Sequence, residues 1–475
     1  MTSGGCRWLV SFGWLVVLWH QSLILSGVPG PESPEGRPAA LAGRFLVMGD
    51  FHFDPFQGLT RDQFARLAAS PLADWPVHLR QQPGPAYGRD APFALVESSI
   101  QDAQDRLPDP DFVLIVGDFL AHDWPAKYDR LAPRTRAEDP VAYQAFTTGV
   151  IRLLAQRLRL AFPGSRILPV FGNEDSECGD YQLTPGGAFL TRCAEAWAPL
   201  VLPESPDREE RRRFDENVAG GGFYDIRLPH LQNHRLIALN TVFFAPQYRN
   251  ACGDSQATPA LDQFRWLEAV LDAAQGAGES VWLLMHLPPG MDSYATWEAG
   301  GSARPLWQPE WTSGFLRLLR RHEGRIQVAF AGHTHMDDFR VVQMEGRPVL
   351  YTKIVPAVSP VFRNNPGYLQ VTYDRRTGQL LDHSTYACAV GDGPMTWRLE
   401  YTFSGTYAGF RLEPDSLVRL GNALVQGGDL ATTYRRLYSV GGPLTPVSPG
   451  ALGCALLNTT TEAYAACAGG LEEPK

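Results

Sequence analysis

Five short apolar segments of this chain each end beside residue types that bind metal ions, a pattern that strongly restricts how the chain can fold. Residues 325–331 form one such segment, and Gly332, His333 and His335 follow it. Alternate residues of an extended chain point the same way, so we expect the two imidazoles to face one site. Neutral imidazole is the commonest protein metal ligand. A single His-x-His pair is weak support, so the interpretation depends on the other four segments.

The other four segments deliver further candidate ligands in the same setting. Each is a predicted strand followed directly by a polar side chain: residues 44–48 by Asp50 and His52, residues 111–116 by Asp118, residues 167–171 by Asn173, and residues 281–285 by His286. Ligands of α/β proteins bind beyond the carboxyl ends of the strands. The sequence therefore predicts that seven side chains meet at one edge of the fold.

Strands and helices alternate up to this site, which predicts an α/β core. The apolar spacing predicts helices over residues 93–106, 141–160, 261–274 and 311–321. Beyond the site, it predicts antiparallel strands over residues 341–344, 348–351, 368–373, 380–386 and 397–403. Residues 56–92 are interpreted as a loop, residues 203–217 as a solvated loop or helix, and residues 416–437 as a helical segment.

Composition limits the class of protein and of partner. The chain has 475 residues, of which 44% are hydrophobic and 20% charged, a profile typical of globular proteins. A net charge of −9 offers no basic surface for nucleic acid or anionic lipid. An anionic substrate would need local positive charge such as bound metal ions. The sequence does not determine the oligomeric state.

The amino terminus is typical of an export signal over residues 1–27. Arg7 precedes an apolar core at residues 8–19, and small residues suited to cleavage follow. The alternative is an uncleaved anchor, but His20 and Gln21 interrupt the run well short of the roughly 20 apolar residues that a span needs. We expect a secreted or periplasmic protein without a transmembrane span after signal removal. Residues 28–43 are interpreted as a linker.

Cysteine usage agrees with export. Of seven cysteines, Cys6 lies in the predicted signal, and an even number remains: Cys178, Cys193, Cys252, Cys388, Cys454 and Cys467. An even number in an exported chain favours disulfide bonds, and we predict the pair Cys454–Cys467. The alternative is a set of reduced, buried thiols.

The candidate ligands comprise two carboxylates, one amide oxygen and four imidazoles, more than one tetrahedral zinc ion needs. This donor set suits two divalent transition ions better than calcium. A central carboxylate can bridge two such ions. Ions about 3.5–4 Å apart ionise a bridging water and hold a phosphoryl group for in-line attack. The sequence therefore predicts phosphoester hydrolysis by a hydroxide that bridges two metals.

The ordered set Asp-x-His, Gly-Asp, Gly-Asn, His and Gly-His-x-His resembles the calcineurin-like metallophosphoesterase family. Finer motifs are similar to the acid sphingomyelinase-like phosphodiesterases: Gly117-Asp118-Phe-Leu-Ala-His122-Asp123, His286-Leu-Pro-Pro-Gly290, Gly332-His-Thr-His-Met-Asp337, Ser359-Pro360 and Asn365-Pro366-Gly367-Tyr368. The resemblance runs from about residue 44 to the end of the chain. It implies a two-sheet, four-layer catalytic domain over residues 44–403 and a small helical, cysteine-bearing extension over residues 404–475.

The resemblance also implies roles for single residues. One metal ion is expected at Asp50, His52 and His335, the other at Asn173, His286 and His333, with Asp118 as the bridge. The family's usual metal is zinc, with manganese or iron as alternatives. His122 matches a position that contacts the substrate or assists the leaving group.

One position departs from the family pattern. Glu174 stands where Gly-Asn is usually followed by a histidine that steadies the phosphoryl group. A glutamate supplies no positive charge and donates a proton only if it is protonated. Three interpretations remain open: His122 alone serves as the catalytic acid, Glu174 is itself a tuned acid, or the protein is weakly active or a binder.

We therefore expect an exported dimetal hydrolase that acts on phosphodiester or pyrophosphate bonds of a small nucleotide or phosphocholine-type substrate. The alternatives are a phosphomonoesterase and a metal-binding or ligand-binding protein with little turnover. Five further histidines lack strand-end partners and are expected to be surface or structural residues: His78, His230, His234, His322 and His383. Three tryptophans are assigned either to a substrate cleft or to ordinary packing: Trp297, Trp307 and Trp311.

Overall fold

The structure is a computed structural model that describes residues 1–2, 41–202, 204–250, 252, 257–391, 393–443 and 445–471. Apart from residues 1–2, the predicted signal lies outside the described residues, as does most of the predicted linker. The described residues from 41 onward belong to one compact unit. Across the described ranges, no helix has both the length and the apolar character needed to cross a membrane.

Twelve strands form two six-stranded sheets within the described residues. They are β1 (Ala42–Met48), β2 (Phe112–Ile115), β3 (Arg166–Pro169), β4 (Tyr224–Arg227), β5 (His234–Ala238), β6 (Ser280–Leu284), β7 (Ile326–Ala331), β8 (Asp338–Met344), β9 (Arg347–Ile354), β10 (Gly367–Asp374), β11 (Leu380–Cys388) and β12 (Trp397–Thr402). The first sheet has the order β12-β11-β10-β1-β2-β3 and the second the order β4-β5-β6-β7-β9-β8. The neighbours β1, β2 and β3 are parallel, as are β5, β6, β7 and β9, while the remaining pairs are antiparallel.

The two sheets pack face to face through large aromatic side chains. Phe45 and Phe112 of the first sheet stack at 4.7 Å between ring centroids. Phe45 also lies 5.5 Å from both Trp282 and Phe330 of the second sheet. The central strands are apolar along nearly their whole length because both of their faces are covered. This interior positions the strand ends that carry the candidate site.

Helices complete the outer layers. They are α1 (Arg61–Ala69), α2 (Trp75–Leu79), α3 (Phe93–Arg106), α4 (Trp124–Leu131), α5 (Pro140–Ala161), α6 (Ala188–Val201), α7 (Arg208–Gly221), α8 (Pro259–Gly276), α9 (Ser293–Glu298), α10 (Pro309–Arg321), α11 (Phe403–Thr406), α12 (Pro414–Gln426), α13 (Asp429–Tyr438), α14 (Pro449–Leu457) and α15 (Thr461–Ala468). The first sheet contacts α3 and α6, and the second contacts α8, α12 and α14. The predicted two-sheet, four-layer architecture is confirmed.

Two predictions of local structure were wrong. The segment predicted as a loop, 56–92, contains α1 and α2, and α1 begins at a capping box in which Thr60 and Gln63 exchange hydrogen bonds. The single helical segment predicted over 416–437 is divided into α12 and α13. Gly427 and Gly428 separate them, both at φ +88°, a left-handed conformation that a continuing helix cannot contain.

The predicted disulfide Cys454–Cys467 is confirmed, and it joins α14 to α15. A second disulfide, Cys178–Cys252, joins residues 74 positions apart in the chain. Cys193 and Cys388 are free, buried thiols. The even number of cysteines therefore does not mean complete pairing, because only four of these six sulfur atoms are joined.

Candidate metal centre

All seven predicted ligand side chains come together at one edge of the sandwich. They follow the carboxyl ends of five strands: Asp50 and His52 follow β1, Asp118 follows β2, Asn173 follows β3, His286 follows β6, and His333 and His335 follow β7. Six of them are buried, and His333 is half-buried. The strands converge because β1, β2 and β3 are parallel neighbours in one sheet and β6 and β7 in the other. The expected meeting of these strand ends is thus present in the fold.

One cluster consists of Asp50, His52 and His335, whose ligand atoms all lie within 4.8 Å of one another. Nε2 of His52 is 3.0 Å from Nε2 of His335. Two imidazole nitrogens at this distance can share only one proton. Oδ2 of Asp50 is buried and has no hydrogen-bond partner among the described residues. A buried carboxylate oxygen without a partner is unfavourable unless a cation compensates it.

A second cluster consists of Asp118, His286 and His333, again within 4.8 Å. Oδ1 of Asn173 lies 3.0 Å from Nε2 of His286 and 2.9 Å from Nδ1 of His333. Oδ2 of Asp118 lies 3.1 Å from His286 Nε2 and 3.3 Å from His52 Nε2. A single carboxylate oxygen therefore lies between the two clusters, as a bridging ligand would.

The electrostatics of His333 and His335 suit metal binding. Burial, together with the charge of His286, lowers the pKa of His333 to about 3. Burial and the neighbouring His52 lower the pKa of His335 well below its usual range. Both imidazoles are therefore neutral near pH 7, which is the form that coordinates metals. The donor set, the orphaned Asp50 oxygen and the facing imidazoles fit two divalent cations.

The backbone at these residues is unusual. Five of the seven predicted ligands have positive φ angles: Asp50 at +45°, His52 at +39°, Asp118 at +53°, His333 at +72° and His335 at +64°. Each such conformation costs a non-glycine residue about 1–3 kcal/mol and is concentrated at functional sites. The chain at His333 and His335 is thus left-handed instead of extended. The two imidazoles therefore enter neighbouring clusters of one site, His335 beside Asp50 and His333 beside Asp118, in the grouping that the family resemblance implies.

Asp175, which is not among the predicted site residues, supports the loops that carry two of the ligands. Its carboxylate accepts hydrogen bonds from the backbone N–H groups of Asp118 at 2.9 Å, Phe119 at 2.7 Å and Gly172 at 2.8 Å. It thereby joins the loop after β2 to the loop after β3. An acid directly after Gly-Asn-Glu was the available signal, but its partners Asp118 and Phe119 lie more than 50 residues away.

Asp180 and Tyr181 contact ligands of the second cluster from its outer side. Oδ1 of Asp180 accepts a hydrogen bond from Nδ2 of Asn173 at 2.8 Å, which turns the amide oxygen toward the histidines. The hydroxyl of Tyr181 lies 3.4 Å from Nε2 of His333. Such partners orient ligands and are part of a metal site's design.

His122 lies beside the first cluster. Its ring stacks on that of His52 at 4.2 Å, and its side chain is 27% exposed. Nδ1 lies 2.7 Å from Oδ1 of Asp90, whose other oxygen is 2.5 Å from Nζ of Lys127. Burial disfavours protonation of His122, but the hydrogen bond and charge of Asp90 outweigh it and raise the pKa of the imidazole. Asp90 was missed because it lies in the segment interpreted as a loop.

Glu174 is 3% exposed, and its carboxyl group has no hydrogen-bond or ion-pair partner among the described residues. Its backbone N–H donates to Oδ1 of Asp118 at 2.9 Å, which fixes the residue beside the clusters. Burial, with the charges of Asp180 and Asp118, raises the pKa of Glu174 well above its usual range. An unpaired acid therefore lies where the family pattern has a histidine.

A cavity of about 390 Å³ opens over the two clusters, and we refer to it as the main cavity. Its aromatic walls come from Tyr181, Tyr294, Phe362 and Tyr438. Trp297, Trp307 and Trp311 do not line it. Trp307 and Trp311 pack against Phe244 and Phe264, whereas Trp297 is 47% exposed. Tyr438 belongs to α13, so the carboxyl-terminal helices contribute a wall of the cavity.

The five remaining histidines lie away from the clusters, as expected. His234, His322 and His383 are buried and hydrogen-bonded. For example, Nδ1 of His234 lies 2.6 Å from the backbone oxygen of Gln232. His230 is exposed, and His78 is half-buried in α2. None of the five belongs to a candidate metal cluster of the described residues.

Comparison with known proteins gives consistent matches. The family model described as calcineurin-like phosphoesterase matches residues 43–337. The bovine protein named cyclic GMP-AMP phosphodiesterase SMPDL3A is 28% identical over 473 residues, covering 95% of this chain and 96% of that protein. The human acid sphingomyelinase-like phosphodiesterase 3b is 28% identical over 391 residues, covering 78% and 77%. A solved dimetal phosphatase from Danio rerio has a TM-score of 0.40 at 12% identity, covering 75% and 98%.

These matches confirm the resemblance to acid sphingomyelinase-like phosphodiesterases and the prediction of a phosphoric ester hydrolase. The matched region begins at β1, includes all five strand ends and extends two residues beyond His335. It accounts for more than half of the 475 residues. The chain belongs to the calcineurin-like phosphoesterase family.

Proposed function

We propose that this protein is an exported dimetal phosphodiesterase that hydrolyses phosphodiester or pyrophosphate bonds. The observation that carries the proposal is the position of Asp118, whose Oδ2 lies within 3.3 Å of a histidine from each ligand cluster. Two neighbouring clusters joined by a carboxylate are the arrangement that a pair of divalent ions requires.

The proposed ligands of one ion are Asp50, His52 and His335, and those of the other are Asn173, His286 and His333, with Asp118 shared. Zinc is the proposed metal, since neutral imidazoles and carboxylates suit it and it is the family's usual choice. When bound, such ions supply a water-derived nucleophile at neutral pH and stabilise negative charge on a phosphoryl group.

His122 is the proposed acid that protonates the leaving oxygen. It lines the main cavity directly beside the first ligand cluster, so a leaving group at the clusters is within reach of its ring. The carboxylate of Asp90 accepts a hydrogen bond from Nδ1–H of His122, which leaves Nε2 to face the substrate. Asp90 thus acts by orienting the imidazole.

Glu174 limits the rate in this proposal. When ionised, its unpaired carboxylate repels a phosphoryl group at the clusters, whereas the histidine usual in the family attracts one. When protonated, it can donate a hydrogen bond, which makes it a secondary candidate for the acid. The alternative of a protein with weak turnover rests on this single substitution.

The proposed substrate is a small nucleotide or phosphocholine-type diester. The support comes from the names of the relatives, one of which is a cyclic GMP-AMP phosphodiesterase. A net charge of −9 argues against long nucleic acids as substrates. Export is proposed because disulfides such as Cys178–Cys252 persist in oxidising compartments. The division into a catalytic domain over 44–403 and an extension over 404–475 also remains a proposal.

Metal analysis combined with hydrolysis of bis-p-nitrophenyl phosphate tests the proposal. We expect two metal ions per chain and turnover that chelation abolishes and zinc restores. Asp118→Ala should lose both the bound metal ions and the turnover. Asp123→Ala, which changes an exposed acid nearby, should keep the metal ions and the turnover. Two bound ions without hydrolysis of any ester would indicate a binding protein. Hydrolysis of p-nitrophenyl phosphate alone would indicate a phosphomonoesterase.

A further inference from the structure

Residues 361–363 form a ridge between two cavities, and we refer to them as the ridge. On one side lies the main cavity, and on the other a second cavity of about 460 Å³. Val361 and His122 line both cavities, so the ridge stands directly beside the proposed acid. The ridge therefore borders the space beside the ligand clusters.

Arg363 gives the main cavity a permanent positive charge, in addition to that of His122 when its imidazole is protonated. It is the only lysine or arginine among the described residues that line this cavity, which also contains Glu174, Asp180 and Asp292. Arg363 is exposed, and its guanidinium has no hydrogen-bond or ion-pair partner in the described part of the chain. Tyr294 also lines this cavity.

Hydrogen bonds to the carbonyl groups of Ser359 and Pro360 hold the ridge in place. The backbone N–H groups of Arg363 and Gly88 both donate to the carbonyl of Pro360, at 3.0 Å and 3.2 Å. Nδ2 of Asn364 donates to the carbonyl of Ser359 at 3.0 Å. Arg363 itself has φ +67°, a strained conformation for a residue with a side chain. The guanidinium is thus presented on a preorganised loop, which reduces the entropy lost on binding.

Phe362 presents an aromatic surface next to this charge. Its ring meets His335 edge to face at 4.6 Å and His122 at 5.7 Å, and 47% of the residue is exposed. Tyr294, 42% exposed, belongs to the lining of the same cavity. Exposed aromatic rings in a cleft stack on planar bases with little dependence on their identity. A base and an anion can therefore be bound side by side on the ridge.

We propose that Arg363 binds a second, non-reacting phosphate of the substrate while Phe362 contacts its base. This inference rests on the proposed function and adds to it a preference for nucleotides that carry two phosphate groups. Guanidinium binds phosphate through paired, charge-assisted hydrogen bonds. Because the surrounding acids repel a second anion, the preference depends on this one side chain.

Two substrates that differ only in the second phosphate test the proposal on the metal-loaded protein. They are the p-nitrophenyl ester of a thymidine monophosphate and the same ester with a further phosphate on the sugar. We expect Arg363→Gln to lower kcat/KM for the doubly phosphorylated ester about tenfold through KM, and to change the simple ester less than about twofold. Arg363→Lys should recover part of the loss. Phe362→Leu should raise KM for both esters.

Arg89 provides the matched control, since it is exposed, lines the second cavity and has no guanidinium partner among the described residues. Arg89→Gln should leave both esters unchanged. A tenfold loss in Arg89→Gln instead of Arg363→Gln would assign the phosphate to the second cavity and overturn the proposal. An equal effect of Arg363→Gln on both esters would also overturn it. Failure of the wild-type protein to hydrolyse either ester would instead contradict the proposed function.

Discussion

Nδ1 of His122 lies 2.7 Å from Oδ1 of Asp90, although 32 residues separate them in the chain. Asp90 is in turn held by Lys127, which also bonds to Asp54 at 2.8 Å. The imidazole is therefore fixed at one nitrogen while the other is left for the substrate. This pairing makes Asp90 a positioning residue whose effect can be separated from that of the metals.

Asp90→Asn should lower kcat for phosphodiesters with poor leaving groups about tenfold, because the amide no longer selects the required tautomer and orientation of His122. The leaving group of a p-nitrophenyl ester needs little protonation, so kcat for such esters should fall less than about threefold. The metal content should stay at two ions per chain. Asp123→Asn is the control, and equal losses for both classes of leaving group would contradict a role through His122.

Glu174→His should increase turnover of a poor-leaving-group diester about tenfold, because an imidazole replaces an unpaired carboxyl group beside the phosphoryl position. Glu174→Gln removes the charge without adding a proton donor, so it should give a smaller gain. Steady-state kinetics with matched metal content measures both. Unchanged turnover in both variants would remove Glu174 from any catalytic role.

His383 should make stability depend on pH. Burial, with the charge of Lys353, lowers the pKa of His383 well below 6.5, whereas in the unfolded chain it is protonated below that value. The unfolded state therefore binds one more proton in acid, and stability should fall as the pH falls below 6.5. From this site, unfolding free energy should drop about 1 kcal/mol between pH 6.5 and about pH 5.5. Denaturant unfolding of His383→Gln should show a shallower slope, and exposed His230→Gln should show the wild-type slope.

Lys353→Met should destabilise the fold by about 3–5 kcal/mol, because it leaves the carboxylate of Asp337 buried without its cation. Thr385 still donates to Asp337 at 2.6 Å but supplies no charge. Urea unfolding measures the change. The double variant Lys353→Met with Asp337→Leu should recover part of the loss. A single-variant loss under about 1 kcal/mol would mean that the ion pair is not maintained in solution.

Thiol titration of the denatured chain should detect two free thiols when residues 1–27 have been removed. These are Cys193 and Cys388, while the other four sulfur atoms of that chain are joined in pairs. Replacing Cys454 and Cys467 by serine should cost about 3 kcal/mol, in line with a short closed loop. Six free thiols would contradict both disulfides.

Local patterns in the sequence determined most of the fold. Continuous apolar runs such as those ending at Met48 and Ala331 appear as β1 and β7, because burial on both faces is specified by neighbouring residues. The predicted helix over 93–106 matches α3, and the long predicted helix over 141–160 matches α5 to within one residue at each end. The predictions were wrong where proline and glycine residues determine the local structure, as at Gly427 and Gly428.

The sequence by itself also determined which seven side chains follow the strand ends, since a ligand adjacent to a strand is a local fact. The family resemblance also implied their grouping, but only the tertiary structure shows its cause, which is left-handed backbone at His333 and His335 that directs the two rings into different clusters. The same holds for Asp90 beside His122 and for Arg363 on its ridge. Such contacts join residues that are distant in the chain, and the folding of separate loops onto one another, as where Phe53 bridges both Ala91 and Leu120, brings them within a few ångströms.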